Sequence, residues 1–388
     1  MDYTPDSTHE DIRKAIEQLC QRFPDEYWME HDDSHEFPWE FYNAIAEGGW
    51  LGLTVPEEYG GGGLGVTEAA VVERAISASG AGMGGCSAVH IGIFGFEPII
   101  HHGSEEMKRK YLPRVVTGEL HTSFAVTEPD AGTDTTNIKT FAKKVDGGWL
   151  VSGKKVWITK AQEAEKMLLL CRTSPREEGG KRTAGMTLLF ADMDRDHVQI
   201  REIPKMGRNA VDTNELFIDE LFVADEDVVG EVGHGFRTIL GGLNAERVIS
   251  ANAALGIGEA ALRRGVRYAN EREVFGRPIG KNQGIAFQLA ESRIKLDAAQ
   301  AVLDKAAWMV DQGLPCGREA NAAKYLCAEA GFFAADAALQ VHGGFGFGKE
   351  FHVERYFREA RLMRIAPISQ EMVLNYTAEH VLGLPRNY

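Results

Sequence analysis

The hydrophobic period of this chain changes twice along its length, and that constrains the fold more than any other feature. In the last third, Val248, Ala251, Leu255, Gly258, Leu262, Val266 and Ala269 recur in steps of three and four. Ile285, Leu289, Ser292, Leu296, Ala299, Leu303 and Ala306 repeat the pattern, as do Ala323, Leu326, Ala330, Phe333 and Ala337. Such steps place each set on one helix face, and three long striped helices suit a bundle. The Gly343-Gly344 pair predicts the end of the third. In the middle the period shortens. Residues 141–158 read as a hairpin about Asp146-Gly147-Gly148. Residues 167–171, 186–190, 214–218 and 221–223 read as further strands between turns. Towards the N-terminus the helical period returns, in Ile12, Ile16 and Leu19, in residues 38–47 with Pro38 in the first turn, and in the apolar stretch 67–101. Between the last two lies the loop Val55–Gly63, whose four glycines permit sharp turns.

The expected organisation is α+β: a helical domain over residues 1–122, a small β barrel or sandwich over 123–235, and a four-helix bundle over 236–388. A chain of 388 residues, 44% hydrophobic and 26% charged, has the balance of two or three globular domains. Its formal net charge of −15 and pI of about 5.3 disfavour nucleic acid and anionic membrane surfaces as partners. The five cysteines are scattered and form no CxxC pair, so they predict reduced thiols, no zinc site and no disulfide framework. His101, His102 and His342 lack metal-ligand spacing with carboxylates, so no metal is expected. Residues 1–10 carry neither a signal-peptide core nor a transit pattern, and no apolar run approaches the ~20 residues of a membrane span. These features predict a cytoplasmic protein.

Four motifs stand at the seams between the zones. The first is Phe124-Ala125-Val126-Thr127-Glu128-Pro129-Asp130-Ala131-Gly132-Thr133-Asp134. Lys155-Val156-Trp157-Ile158-Thr159 is the second. The third runs from Tyr268 through Arg272, Phe275-Gly276-Arg277-Pro278-Ile279 and on to Gln283. The fourth is Gln340-Val341-His342-Gly343-Gly344-Phe345-Gly346. An isoalloxazine ring needs an apolar face to lie on and hydrogen bonds along its polar edge. The first two motifs offer hydroxyls, backbone amides and an indole; the competing reading is a threonine-rich β core bonded to its own backbone. A guanidinium such as that of Arg272 pairs well with phosphate, and two glycines let backbone N–H groups approach anionic oxygens. No GxGxxG follows an early strand, so a Rossmann site is not supported.

Taken together, in this order and spacing, the four motifs closely resemble those of the acyl-CoA dehydrogenase family, over almost the whole chain. The resemblance implies FAD as cofactor and an acyl-CoA as substrate, with electrons passing to electron-transfer flavoprotein. It places Phe124, Val126, Thr127, Gly132, Thr133, Trp157, Ile158, Thr159 and Ser369 about the flavin, with Thr133 also near the thioester. Arg272, Phe275, Gln283, Gln340, His342, Gly343 and Gly344 would serve the pyrophosphate and adenine end. In the family, that end is completed by a neighbouring subunit, so the resemblance implies a homo-oligomer, a tetramer built as a dimer of dimers.

Removal of an α-proton needs a base, best a carboxylate in an apolar pocket. Most family members carry that Glu in a loop before the last helix. Here the loop reads Arg364-Ile365-Ala366-Pro367-Ile368-Ser369-Gln370, with Pro367 at the aligned position. Proline takes no proton and offers no N–H to the thioester oxygen, so a neighbour such as Ile368 must supply that donor if the alignment holds. The isovaleryl-CoA and long-chain members place their base on the first long C-terminal helix, and Glu246 in Leu243-Asn244-Ala245-Glu246-Arg247 matches it. The alternative for Glu246 is a solvated acid near a helix start. Asn244 and Arg247 share a helix face and, with Ala366, are the expected substrate contacts. Ala366 would leave room for a branched acyl chain. The missing loop acid leaves two other readings open: an oxidase or eliminating flavoenzyme of the same fold, and an inactive flavin- and CoA-binding partner subunit.

Overall fold

Helices α1 (Ser7–Cys20), α2 (Asp25–Ser34), α3 (Trp39–Glu47), α4 (Val66–Ile76), α5 (Gly82–Phe94), α6 (Glu97–His102) and α7 (Glu105–Val116) open the chain. The computed structural model describes residues 7–176 and 180–386; the part of the N-terminal reading that falls on residues 1–6 lies outside them. The stretch 67–101, expected as one apolar helix, is interrupted. Gly80 has φ +116°, a backbone that L side chains rarely adopt, and the helix resumes at Gly82 after a π turn over Ser77–Ala81. Counted through its interruptions, the segment Val66–His102 is long and apolar enough to cross a membrane, contrary to the sequence expectation, but 78% of its most apolar window is buried within the protein.

The strands follow: β1 (Thr122–Ala125), β2 (Phe141–Val145), β3 (Gly148–Thr159), β4 (Lys166–Arg172), β5 (Met186–Asp192), β6 (Val198–Glu202), β7 (Thr213–Ala224) and β8 (Val228–Val229). They form one sheet in the order β6-β7-β3-β2-β4-β5-β8, with β1 added in parallel to β4. The predicted hairpin is β2–β3, turning at Asp146-Gly147 with Val145 opposite Gly148. Two expectations are corrected. Residues 214–218 and 221–223 belong to one continuous strand, β7, whose pairing with β3 shifts register between Val151 and Gly153. Strand β6 was not expected, because Val198-Gln199-Ile200-Arg201-Glu202 buries only Val198 and is largely polar.

The C-terminal third contains α8 (Gly235–Leu240), α9 (Leu243–Glu271), a two-stranded hairpin of β9 (Glu273–Val274) and β10 (Arg277–Pro278), α10 (Gln283–Asp311), α11 (Gly317–His342), α12 (Val353–Leu362) and α13 (Gln370–Tyr376). α9 packs between α4 and α11. At Gly258 an added Cβ would stand 2.7 Å from the Cα of Gly331, so the small residues let the two backbones touch. The stripes are buried as spaced, apart from Ile285 and Phe333, which are half-buried, and Val266 and Leu326, which are about 40% exposed. α11 ends at His342, where Gly343 takes φ +60°.

The last helices close the break in the first region. Arg355 of α12 donates to the carbonyl of Gly80 at 2.6 Å, and buried Glu359 accepts from the N–H of Met83 at 2.7 Å. Groups freed where the α4–α5 helix breaks are thus satisfied by side chains from nearly 280 residues away.

Candidate active site

The first two motifs lie against each other because a buried lysine laces them together. Lys155 Nζ donates to the carbonyls of Val126 at 2.9 Å and Leu170 at 2.7 Å, and to Glu128 Oε1 at 2.9 Å. Glu128 also accepts from the N–H groups of Lys139 and Thr140. Burial pushes the Glu128 carboxyl up, but the Lys155 charge and those donors outweigh it and hold it below the usual carboxylate range. The Val156 N–H donates to the Thr127 carbonyl at 2.9 Å, so the end of β1 runs beside the end of β3.

This frame leaves Phe124, Val126 and Thr127 half-buried and Gly132 and Thr133 exposed. Trp157 has φ +63° and is 59% exposed, an indole turned outward at a strand end. Ile158 points into the β core, so only its backbone can face a ligand. Thr159 Oγ accepts from Arg208 Nη2 at 3.3 Å. Arg208 was absent from the sequence expectations. Its sign in the sequence was only a polar turn, though here it is a non-glycine residue at φ +61° whose Nε is buried without a partner.

The third and fourth motifs meet across a separate cleft of about 520 Å³. Arg272, His342, Gly343 and Gly344 line it with Tyr268 and Phe345. The His342 ring stacks on Tyr268 at 4.2 Å, while its Nδ1 donates to the Ala338 carbonyl at 2.7 Å. The Arg272 guanidinium lies 5.6 Å from the Phe345 ring centre and pairs with no carboxylate among the described residues. Nothing stands within 4 Å of where a Cβ on Gly343 or Gly344 would be. Gln283, Gln340 and Phe275 are exposed and outside that lining; Phe275, at φ +54° on the β9–β10 turn, has its whole side chain in the open.

Glu246 sits in the first turn of α9. It retains some accessible surface, yet desolvation dominates its carboxyl and pushes the pKa up, opposed by the charges of His90 and Arg247. Among the described residues no hydrogen bond or ion pair satisfies it. A solvated surface acid would not be raised in this way. Beside it, Arg247 Nη1 donates to Asn244 Oδ1 at 2.8 Å, and Arg247 Nε is buried without a partner. Arg208, which touches Thr159, lies within electrostatic reach of His90, and His90 within reach of Glu246. That chain of neighbours connects the end of β3 to the start of α9.

The loop before α13 holds Ala366, half-buried, in a cis peptide with Pro367. The Ile368 carbonyl accepts from the buried Lys324 ammonium. The Ile368 N–H donates to nothing among the described residues. Ser369 caps α13 by accepting from the Met372 N–H at 3.4 Å. The first acid after the loop, Glu371, is exposed, and local backbone and Ser369 hydrogen bonds lower its pKa.

The donor set suits a dinucleotide flavin. An unpaired guanidinium and two bare glycines suit a pyrophosphate, and threonine hydroxyls with an outward indole suit a ring edge and face. A helical–β–helical fold with this site defines an FAD-dependent oxidoreductase. Comparison with known proteins gives the narrower class. Residues 6–119, 123–221 and 233–382 match the acyl-CoA dehydrogenase N-terminal, middle and C-terminal domains. The chain is 35% identical over 379 residues to acyl-CoA dehydrogenase FadE12 of Mycobacterium tuberculosis, covering 97% of this chain and 96% of that protein. It superposes on an acyl-CoA dehydrogenase from Geobacillus kaustophilus with a TM-score of 0.91 at 28% identity, over 98% of this chain and 100% of the other. Butyryl-CoA dehydrogenase from Megasphaera elsdenii gives the same values. This chain belongs to the acyl-CoA dehydrogenase family.

Proposed function

We propose that the protein oxidises an acyl-CoA thioester between its α and β carbons, with Glu246 as the base, and passes the electrons to electron-transfer flavoprotein. The observation that carries this is the state of Glu246: a reachable, desolvated carboxylate without a partner, in a site whose loop contains no acid. Bound FAD supplies the acceptor for the β-hydride. Glu246 takes the α-proton, and its raised pKa strengthens it as a base near neutral pH. The free Ile368 N–H offers the thioester oxygen the donor that Pro367 lacks, and Lys324 holds that peptide by its carbonyl. Thr133, Asn244, Arg247 and Ala366 are the proposed substrate contacts, and Ser369 a further contact to the cofactor.

The exposed Phe275, Gln283 and Gln340 flank the Arg272 cleft, which supports a cofactor site finished by a second copy in a homo-oligomer, a dimer of dimers. The test of the reaction is anaerobic bleaching of the flavin by a panel of straight, branched and aromatic acyl-CoAs. At least one should bleach the wild type. Glu246→Gln should slow bleaching by roughly 10²–10⁴-fold, the usual contribution of a positioned base, while leaving acyl-CoA binding intact. Full activity in Glu246→Gln would remove the base assignment, and rapid peroxide formation in air would reassign the enzyme as an oxidase.

A further inference from the structure

His90 interrupts the apolar run of α5, and three helices converge on it. α5 and α9 run in opposite directions: Gly256 of α9 packs on Ser77 and Ala78, just before α5, while Gly242, just before α9, packs on Phe94 at the end of α5. An added Cβ on Gly242 would stand 3.4 Å from Phe94 Cζ. One turn back along α5 from Phe94 is His90; one turn on from Gly242 is Glu246. The antiparallel crossing therefore brings these two side chains to the same end of the helix pair, within electrostatic reach of each other though not in a direct ion pair. The His90 and Phe94 rings are 6.0 Å apart, on the same face.

From the other side, α4 supplies Glu73. Its side chain is 1% exposed, and its Oε1 lies 3.3 Å from His90 Nδ1. Glu73 Oε2 is buried with no partner. The main chain of Glu73 is held too, since its carbonyl accepts from Cys86 Sγ at 3.2 Å. A buried acid with half its acceptor capacity unmet favours a charged donor beside it. An imidazole fixed at Nδ1 by such an acid presents its other nitrogen in one direction.

We propose that His90, oriented by Glu73, is a positioning residue that sets a cationic ring against Glu246 and so keeps that carboxylate ionised inside a desolvated pocket. The inference rests on the reading of Glu246 as the base. Four charged groups bear on the ring or on Glu246: Glu73 from α4, Glu246 and Arg247 from α9, and Arg208 from the loop before β7. Burial pulls the His90 imidazolium down, but the Glu73 hydrogen bond and the charges of Glu73 and Glu246 outweigh it, against Arg208, and leave it above the usual histidine value. Without the ring's charge, burial acts on Glu246 with only Arg247 to oppose it.

Two measurements on the FAD-loaded protein test this. The first follows the His90 side-chain nitrogens by NMR against pH, assigned by their loss in His90→Gln. Glu246→Gln and Glu73→Gln should each lower the His90 pKa; a value unmoved by Glu246→Gln would overturn the contact, whatever the base proves to be. The second is the pH profile of anaerobic flavin bleaching. His90→Gln should move its acid limb up by about one pH unit, as loss of a close opposite charge requires, with the high-pH rate kept within about threefold. His90→Lys, which restores a positive charge, should bring the limb back towards the wild type. An unmoved limb, or an equal loss of rate at every pH in both variants, would reduce His90 to a packing residue. If Glu246→Gln instead bleached at the wild-type rate, the base reading and the positioning role would fail together, while the NMR result would still report on the contact.

Discussion

The two ends of the proposed cofactor site are built in opposite ways. At the ring end, Lys155, buried completely, binds β1, β3 and β4 into one frame, and each of its three hydrogen bonds is made within the chain. At the proposed adenosine end, Arg272, Gly343 and Gly344 stand exposed around an open cleft, and the guanidinium has no acid partner among the described residues. The first region is finished when the chain folds. The second is a set of open groups that the proposed function assigns to phosphate. Mutations at the ring end should therefore act on the fold, and mutations at the adenosine end on affinity.

The largest effect is expected at Lys155. Lys155→Met strips Glu128 of its counter-charge in a buried site, which should cost about 3–5 kcal/mol of stability and release the flavin; urea unfolding with flavin absorbance measures both. Arg272→Ala removes a phosphate partner from a surface already open. It should weaken FAD binding by ~1.5–3 kcal/mol, roughly tenfold to over a hundredfold, while the apoprotein unfolds at the wild-type urea midpoint. If Arg272→Ala unfolded the protein instead, the contrast between the ends would be gone. The smallest effect sharpens the comparison through pH. Lys160, next to Thr159, is buried over the rings of Tyr42 and Phe37, and burial pulls its pKa down to about 7. Between that value and the ordinary lysine range the unfolded chain binds more protons than the folded one. The Lys160 contribution to stability should therefore rise with pH across this window, by on the order of 1–2 kcal/mol between pH 7 and 9, partly offset by half-buried Glu163, whose carboxyl desolvation pushes up to about 8. Lys160→Met should flatten that slope, whereas Arg272→Ala should leave it unchanged; parallel urea titrations at the two pH values measure the difference.

Much of the fold was readable because period and turn chemistry are local. Asp146-Gly147 turned the chain as expected, and steps of three and four found the buried faces of α9, α10 and α11. Spacing assigns a residue to a face but does not say how far cover extends, and so Val266 and Leu326 proved partly exposed. The interruption at Gly80 was missed for a related reason: it is stabilised by Arg355 and Glu359, which no local window contains. Strand β6 was missed because it pairs by its backbone with β7 while its side chains stay mostly wet. In the site, Glu246 could be picked out by its place in a motif. His90 and Arg208 could not, because their meaning comes from Glu73, Glu246 and Thr159, which are distant in sequence. A single histidine in an apolar helix looks like packing until its neighbours in space are known.

The plug that α12 drives into the broken helix has a consequence for how this protein can be cut or rebuilt. The hydrogen bonding at the break in its opening third is completed by Arg355 and Glu359 of α12. A fragment that stops before α12 would carry bare amides and carbonyls in what should be its dry interior. Separate expression of the leading helices, or grafting them onto a foreign sheet, would need a substitute for those two side chains.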